Sequence, residues 1–212
     1  MTKDFKDFLS QWSSLHGEVP TTGIVKSWLT ISFFFAHILK KIKVSANFIT
    51  FLGVILAALV ALSSPRWWSV FFLALSLFCD GVDGTLAMIT HKSSALGATY
   101  DAVADRLSEA LWAVAFYRLG VPVTWIILFW TLSSVQEYAR ARLTAEGIRE
   151  VGPITPVERP MRASFLCVAI LAWQIPFFHS WILALMVALT FLQGLSLVMV
   201  IKYAYESLKK WP

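Results

Sequence analysis

Long apolar runs, broken at intervals by short stretches rich in Pro, Gly or charge, set the architecture of this chain. A helix rises about 1.5 Å per residue, so about 20 mostly apolar residues cross a hydrocarbon core. Six segments fit: Ala46–Leu62, Trp67–Ile89, Leu96–Tyr117, Val121–Arg140, Pro160–Phe178 and Trp181–Tyr203. Ser63-Ser64-Pro65 and Gly120-Val121-Pro122 read as tight turns, and Pro176 with His179 marks a third. The longest polar connection, 141–159, carries Gly147, Gly152, Pro153 and Pro156. Ahead of the first span, Ile31–Lys43 is short and ends in Lys40, Lys41 and Lys43, the pattern of a surface-lying amphipathic helix. Residues 4–15 place Phe5, Phe8, Leu9 and Trp12 at helical spacing, and read either as a second such helix or as a frayed polar terminus. The expected fold is all-α: a polytopic membrane protein with six transmembrane helices and an N-terminal interfacial amphipathic helix. Its expected divisions are an N-terminal cytoplasmic or interfacial segment (1–43), a six-helix transmembrane domain (44–205) and a cytoplasmic tail (206–212).

Composition agrees with the pattern. The chain is 58% hydrophobic and 15% charged, against about 25% charged for an ordinary soluble domain. Sixteen Phe and ten Trp suit contact with lipid, and Trp67, Trp68 and Trp181 fall where interfacial aromatic belts form. Met1–Glu18 is mixed and polar, without the apolar core and cleavage site of a signal peptide. Cys79 and Cys167 lie inside apolar runs and read as small buried hydrophobes. The net charge of +5 does not point to nucleic acid, because the basic residues bracket the apolar segments. Anionic lipid headgroups and anionic substrates are the expected partners.

The same basic residues orient the chain. Six precede the first span, Lys92 lies in the second connection, Arg106 stands near the start of the third span, five arginines fall between 140 and 162, and three lysines gather at the end of the last span. Only Arg66 and Arg118 fall in connections on the other side. The positive-inside rule then places both termini and the 90–97 and 141–159 connections in the cytoplasm. The expected location is an integral, multi-pass one, in the plasma membrane if the source is bacterial.

Four carboxylates interrupt this apolar pattern within 26 residues: Asp80, Asp83, Asp101 and Asp105. Charges inside spans are costly and usually functional. Asp80 and Asp83 are three apart and share one helix face, which Gly84 and Ala87 continue. Asp101 and Asp105 are four apart and share a face of the next helix, with Gly97 one turn before. Two antiparallel helices joined by a short connection can point all four into one gap. Such a cluster must either take up protons or bind cations. Oxygen-only ligands favour hard ions, Mg2+ or Mn2+. Two divalent ions would neutralise the four charges, and a metal pair suits phosphoryl displacement. The small residues leave room for a planar or phosphate-bearing ligand to approach the backbone.

Asp80-Gly-Val-Asp83-Gly84-Thr-Leu-Ala87 followed by Gly97-Ala-Thr-Tyr-Asp101-Ala-Val-Ala-Asp105 resembles the signature of the CDP-alcohol phosphotransferase family. Val44-Ser-Ala-Asn47-Phe-Ile-Thr50 resembles the segment that opens the family's first span. The resemblance implies transfer of a phosphatidyl group from CDP-diacylglycerol to an alcohol, with release of CMP, as in phospholipid biosynthesis. By the same resemblance Asp80, Asp83, Asp101 and Asp105 hold the metal ions, and Asp105 is also the general base on the acceptor hydroxyl. Gly84 and Ala87 make room for the cytidine, and Asn47, Thr50 and Asp80 complete the nucleotide contacts. A homodimer is implied too. One position departs from the pattern: Met88 stands where the family usually has Arg, a cation for the pyrophosphate. Lys92 or His91 could replace it, or Met88 could mark a weakly active, regulatory member.

The basic connection bears on the acceptor. Arg140, Arg142, Arg159 and Arg162, close in sequence and on the cytoplasmic side, suggest recognition of a phosphate on the acceptor. Arg106 reads equally as a phosphate ligand or as a partner for a carboxylate. The segment resembles the acceptor region of family members that make phosphatidylinositol phosphate or phosphatidylglycerol phosphate. In the inositol branch, however, Glu137, Arg140 and Met161 replace a Ser, a Lys and a Glu. The acceptor class is therefore a phosphorylated polyol, such as inositol phosphate or glycerol phosphate. Ser93 and Ser94 read as caps of the third span or, second, as phosphate contacts, Gln174 and Gln193 as interhelical hydrogen-bonding groups, and His37 and His179 as interfacial residues. A cation transporter or channel is the rival class, weakened by carboxylates gathered at one face and by the lack of a second symmetric half.

Overall fold

The computed structural model describes residues 3–15, 20–148 and 152–209. Arg149, and Lys210 with the end of the tail, lie outside the described residues. Those described are helical, with no strand among them: α1 (Lys3–Leu15), α2 (Gly23–Lys41), α3 (Ala46–Ser63), α4 (Ser69–Ile89), α5 (Ala95–Arg118), α6 (Val123–Ala145), α7 (Arg159–Trp173) and α8 (His179–Lys209), with a 3-10 turn at Pro176–Phe178.

Each expected span falls on a helix. Three segments are long and apolar enough to cross a membrane by length and composition: Ala46–Ser63, Ser69–Ile89 and Pro176–Lys209. α5 and α6 have the length, at 24 and 23 residues, but carry the charges of the candidate site. α7 has 15 residues, short of the usual requirement. It stops early because Ile175 precedes Pro176 and takes an extended backbone (φ −117, ψ 109), as the proline ring demands. The expected amphipathic helix at 31–43 begins earlier, at Gly23, and residues 4–15 are helical.

Helix ends follow one pattern. At the end of α5 the Val121 N–H donates to the Phe116 carbonyl and the Gly120 N–H to that of Tyr117, with Gly120 at φ 79. This double closure satisfies carbonyls the helix leaves open and needs a left-handed residue. α2 and α4 close in the same way on non-glycine residues, Lys43 (φ 60) and His91 (φ 53), each at a cost of about 1 kcal/mol.

The chain divides into two compact units. The first comprises Met1–Leu56 and Ala74–Leu107. Here α1 buries Phe5, Phe8 and Leu9 against Leu29 of α2, and Met88 and Ile89 of α4 pack on the same cluster. Removal from water contributes about 1.5–3 kcal/mol for each such side chain. A second cluster, Ala36, Ile49, Cys79, Val82 and Leu86, joins α2, α3 and α4. Gly53 lets α3 and α4 close up, and the Ser76 hydroxyl donates to its carbonyl at 2.8 Å.

The second unit comprises Ala57–Leu73 and Ser108–Pro212. Phe116, Leu166, Ile170, Met186 and Leu189 are buried in it. Among them runs a polar network. The Arg162 guanidinium, only 2% exposed, donates to Glu109 at 2.5 Å and to Glu137 at 2.8 Å. Arg140 donates through both terminal nitrogens to Glu158, each at 2.8 Å. Glu158 also accepts from the Thr155 hydroxyl, and Gln193 donates to Gln136 at 2.8 Å. Gln174 donates to the Pro65 carbonyl at 2.6 Å. Both glutamines thus act as the hydrogen-bonding groups their place in apolar runs implies.

A buried guanidinium shared by two carboxylates tolerates loss of a partner poorly. Arg162→Met is expected to lower stability by about 3–5 kcal/mol, read by denaturant unfolding in detergent. Adding Glu109→Gln should recover part of that loss. If the single variant unfolds like wild type, the network is not structural.

Candidate active site

α4 carries Asp80 and Asp83, and α5 carries Asp101 and Asp105. The link between the helices is short and well fixed. His91 turns the chain after α4, and the Ser94 hydroxyl accepts the Gly97 N–H at 3.0 Å at the start of α5, so Ser94 is the cap its sequence position suggests. One oxygen from each of Asp80, Asp101 and Asp105 lies within 4.8 Å of the others, all three residues half-buried. Three carboxylate oxygens at this spacing fit a hard divalent ion. Asp83 stands apart from that trio. It is 4% exposed, and its oxygens accept the Thr50 hydroxyl and the Gly84 N–H, both at 2.6 Å.

The carboxylates border a cavity of about 400 Å3 in the first unit, within the usual size of a small-molecule site. Its wall includes Asp80, Asp83 and Asp101, and also Asn47, Thr50, Gly84 and Ala87. Every residue the resemblance assigns to the nucleotide therefore borders one space. Asp105, one turn beyond Asp101, is not in the wall. A side chain added at Gly84 would meet nothing within 4 Å, so the floor there is open. Gly97 faces Ser94 and Asn47. Lys92 reaches the wall, directly after the left-handed His91. Among the described residues it is the one Lys or Arg in the wall.

Three further wall residues have no site role assigned from the sequence. Trp12 of α1 and Trp28 of α2 both line the cavity, as does Gly81. A Cβ on Gly81 would overlap the Trp28 indole, so glycine is required for that ring to lie on α4. The helical spacing of Phe5, Phe8, Leu9 and Trp12 signals an amphipathic helix but not what it packs on.

The profile of the CDP-alcohol phosphatidyltransferase family matches residues 43–192. The chain belongs to this family. The archaetidylinositol phosphate synthase of Aeropyrum pernix is 32% identical over 146 residues, covering 66% of this chain and 73% of that protein. The phosphatidylinositol phosphate synthase of Mycolicibacterium smegmatis is 28% identical over 182 residues, covering 76% and 81%. The solved phosphatidylinositol phosphate synthase of Mycobacterium tuberculosis with CDP-DAG bound matches with a TM-score of 0.69 at 21% identity, over 83% of this chain and 94% of that one. The same synthase in complex with manganese and citrate gives 0.68 at 21% identity, over 82% and 88%. At that identity the likeness is one of fold. As a CDP-alcohol phosphatidyltransferase, the chain is a transferase of phospholipid biosynthesis.

The arginines divide differently from the aspartates. Arg106 lies in the first unit and Arg140, Arg142, Arg159 and Arg162 in the second. Arg162 and Arg140 are held by glutamates, as described above. Arg142 pairs with Glu146 at 2.5 Å on the surface, and Arg159 lies over the Trp112 ring at 5.5 Å. Burial pushes the Glu158 carboxyl up, but hydrogen bonds from Arg140 and Thr155, with the Arg140 charge, bring it down to about 2.

A carboxyl depressed from its ordinary 4.5 to about 2 contributes stability above 4.5 and loses it as pH falls toward 2. Thermal unfolding in detergent should therefore weaken through that window in wild type, and less so in Glu158→Gln; identical acid limbs would remove Glu158 from the account. Met88, the family departure, packs against the apolar seat of α1 and also borders the cavity, where Lys92 already stands. Met88→Arg should consequently cost about 1–3 kcal/mol of stability and leave turnover no faster. Faster turnover at unchanged stability would mean that the position serves the pyrophosphate.

Proposed function

We propose that the chain transfers a phosphatidyl group from CDP-diacylglycerol to a hydroxyl of a phosphorylated polyol, releasing CMP. The observation that carries this reading is the convergence of Asp80, Asp101 and Asp105 beside a nucleotide-sized cavity. Inositol phosphate is the first acceptor to try, because the curated relatives named above are archaetidylinositol phosphate and phosphatidylinositol phosphate synthases. An acceptor phosphate would compete with Glu137 and Glu158 for Arg162 and Arg140, which a dianion does better than a neutral alcohol.

In this mechanism Asn47 and Thr50 orient the nucleotide, and Gly84 and Ala87 leave it room. Mg2+ or Mn2+, two ions held by Asp80, Asp83, Asp101 and Asp105, would offset the charge of the pyrophosphate and the departing CMP. Lys92 supplies the cation that Met88 does not. Asp105 takes the acceptor proton as the new O–P bond forms. A carboxylate is too weak a base to remove it beforehand. The P–O bond to CMP breaks with its electron pair going to CMP.

The membrane arrangement belongs to the same proposal. α3 to α8 form six spans, with both termini and the site cytoplasmic and α1 and α2 lying at the interface. Residues 1–43, 44–205 and 206–212 form the interfacial segment, the catalytic domain and the tail, and the active form is a homodimer. The charge distribution supports the orientation.

Purified protein with CDP-diacylglycerol, Mn2+ or Mg2+ and a panel of free and phosphorylated polyols should release CMP, fastest with a phosphorylated one. Asp105→Asn should slow turnover by about 10²-fold or more while CDP binding persists. No CMP with any acceptor, together with metal-dependent ion flux in liposomes, overturns the enzyme reading.

A further inference from the structure

α1 is amphipathic in an unusual place. Phe5, Phe8 and Leu9 are buried against Leu29, and Trp12 continues the same face one turn later. Trp12 is half-buried: it packs on the Phe5–Leu29 cluster and also borders the active-site cavity. The other indole in the wall, Trp28, is seated on Gly81 and meets the Phe78 ring edge-on at 6.0 Å. The cavity wall thus holds two indoles as well as its three carboxylates.

A donor with a pyrophosphate and a pyrimidine has two ends of opposite preference. The charged end belongs with the carboxylates and their ions. The flat ring is the part that gains from an indole face, since base–aromatic stacking is strong and tolerant of base identity. Gly84 leaves open the floor on which such a ring could lie. Met88 fits the same account, because it helps form the apolar seat that brings Trp12 to the wall.

We propose that Trp12 is a donor-binding residue, offering an indole face to the pyrimidine ring of the CDP moiety. This rests on the CDP-linked donor proposed above. α1 is then part of the nucleotide site and not merely an interfacial anchor. Stacking of this kind sets affinity, so its loss should appear in KM for the donor and leave kcat nearly unchanged.

The test compares full-length wild type, Trp12→Leu and Trp12→Phe in detergent with Mn2+. CDP and inorganic pyrophosphate are titrated separately and followed by tryptophan emission and calorimetry. Trp12→Leu should weaken CDP about tenfold, in the range of one lost base–aromatic stack, and raise the donor KM by the same factor. Pyrophosphate, which has no base, should bind all three proteins alike. Trp12→Phe should keep CDP affinity within about threefold of wild type while losing part of the CDP-induced quenching. Equal weakening of CDP and pyrophosphate in Trp12→Leu would mean a structural role and overturn the inference. So would CDP affinity indifferent to both substitutions. If Trp12→Leu fails to fold, Trp12→Phe decides: quenching identical to wild type places the base away from Trp12. Wild type that binds no CDP removes the donor reading itself, and Trp12's role with it.

Discussion

Like charges repel most strongly where water is scarce, and this chain gathers three carboxylates with oxygens within 4.8 Å of one another in a protein that is 58% hydrophobic. Such an arrangement persists only when the surrounding structure fixes it and protons or a cation offset it. The fixing is visible. His91 and Ser94 hold the turn between α4 and α5, Thr50 and Gly84 hold Asp83, and Gly53 with Ser76 locks α3 onto α4. Each of these contacts orients the cluster without joining it.

The second unit solves the opposite problem. Its charges are mixed and paired with one another: Arg162 between Glu109 and Glu137, Arg140 on Glu158. Ion pairs among these members brace α5, α6 and α7 within the low-dielectric interior. That changes how the basic connection is to be understood. Arginines that look available in sequence have terminal nitrogens already engaged by glutamates, so an anion approaching Arg140 or Arg162 would compete with those carboxylates.

Much of this was legible in the residues. Apolar run length located all six helices from α3 to α8, and Pro and Gly located the turns, because both signals are local. The aspartate spacing gave the face they share, since helical periodicity is rigid. What stayed hidden depends on contacts distant in sequence. Nothing local says that Glu109 lies against Arg162, 53 residues on. Nor does anything local say that Gly81 is small for the sake of Trp28 and not of a ligand. The end of α7 was misplaced for a different reason: hydropathy continues through Phe178, whereas the backbone responds to Pro176.

Met88 shows how one position can look like a loss in sequence and read differently in the fold. Taken alone, methionine in place of arginine subtracts a cation from a pyrophosphate site. In the structure it packs on the cluster of Phe5, Phe8 and Leu9 and also borders the cavity, which Lys92 reaches from the turn after α4. An arginine at 88 would give up methionine's packing against those rings, while its head could extend into the cavity that Met88 also borders. What the substitution trades is apolar packing against α1 for charge at the cavity wall. With methionine there, α1 can close on α4, and the cation comes from four residues further along.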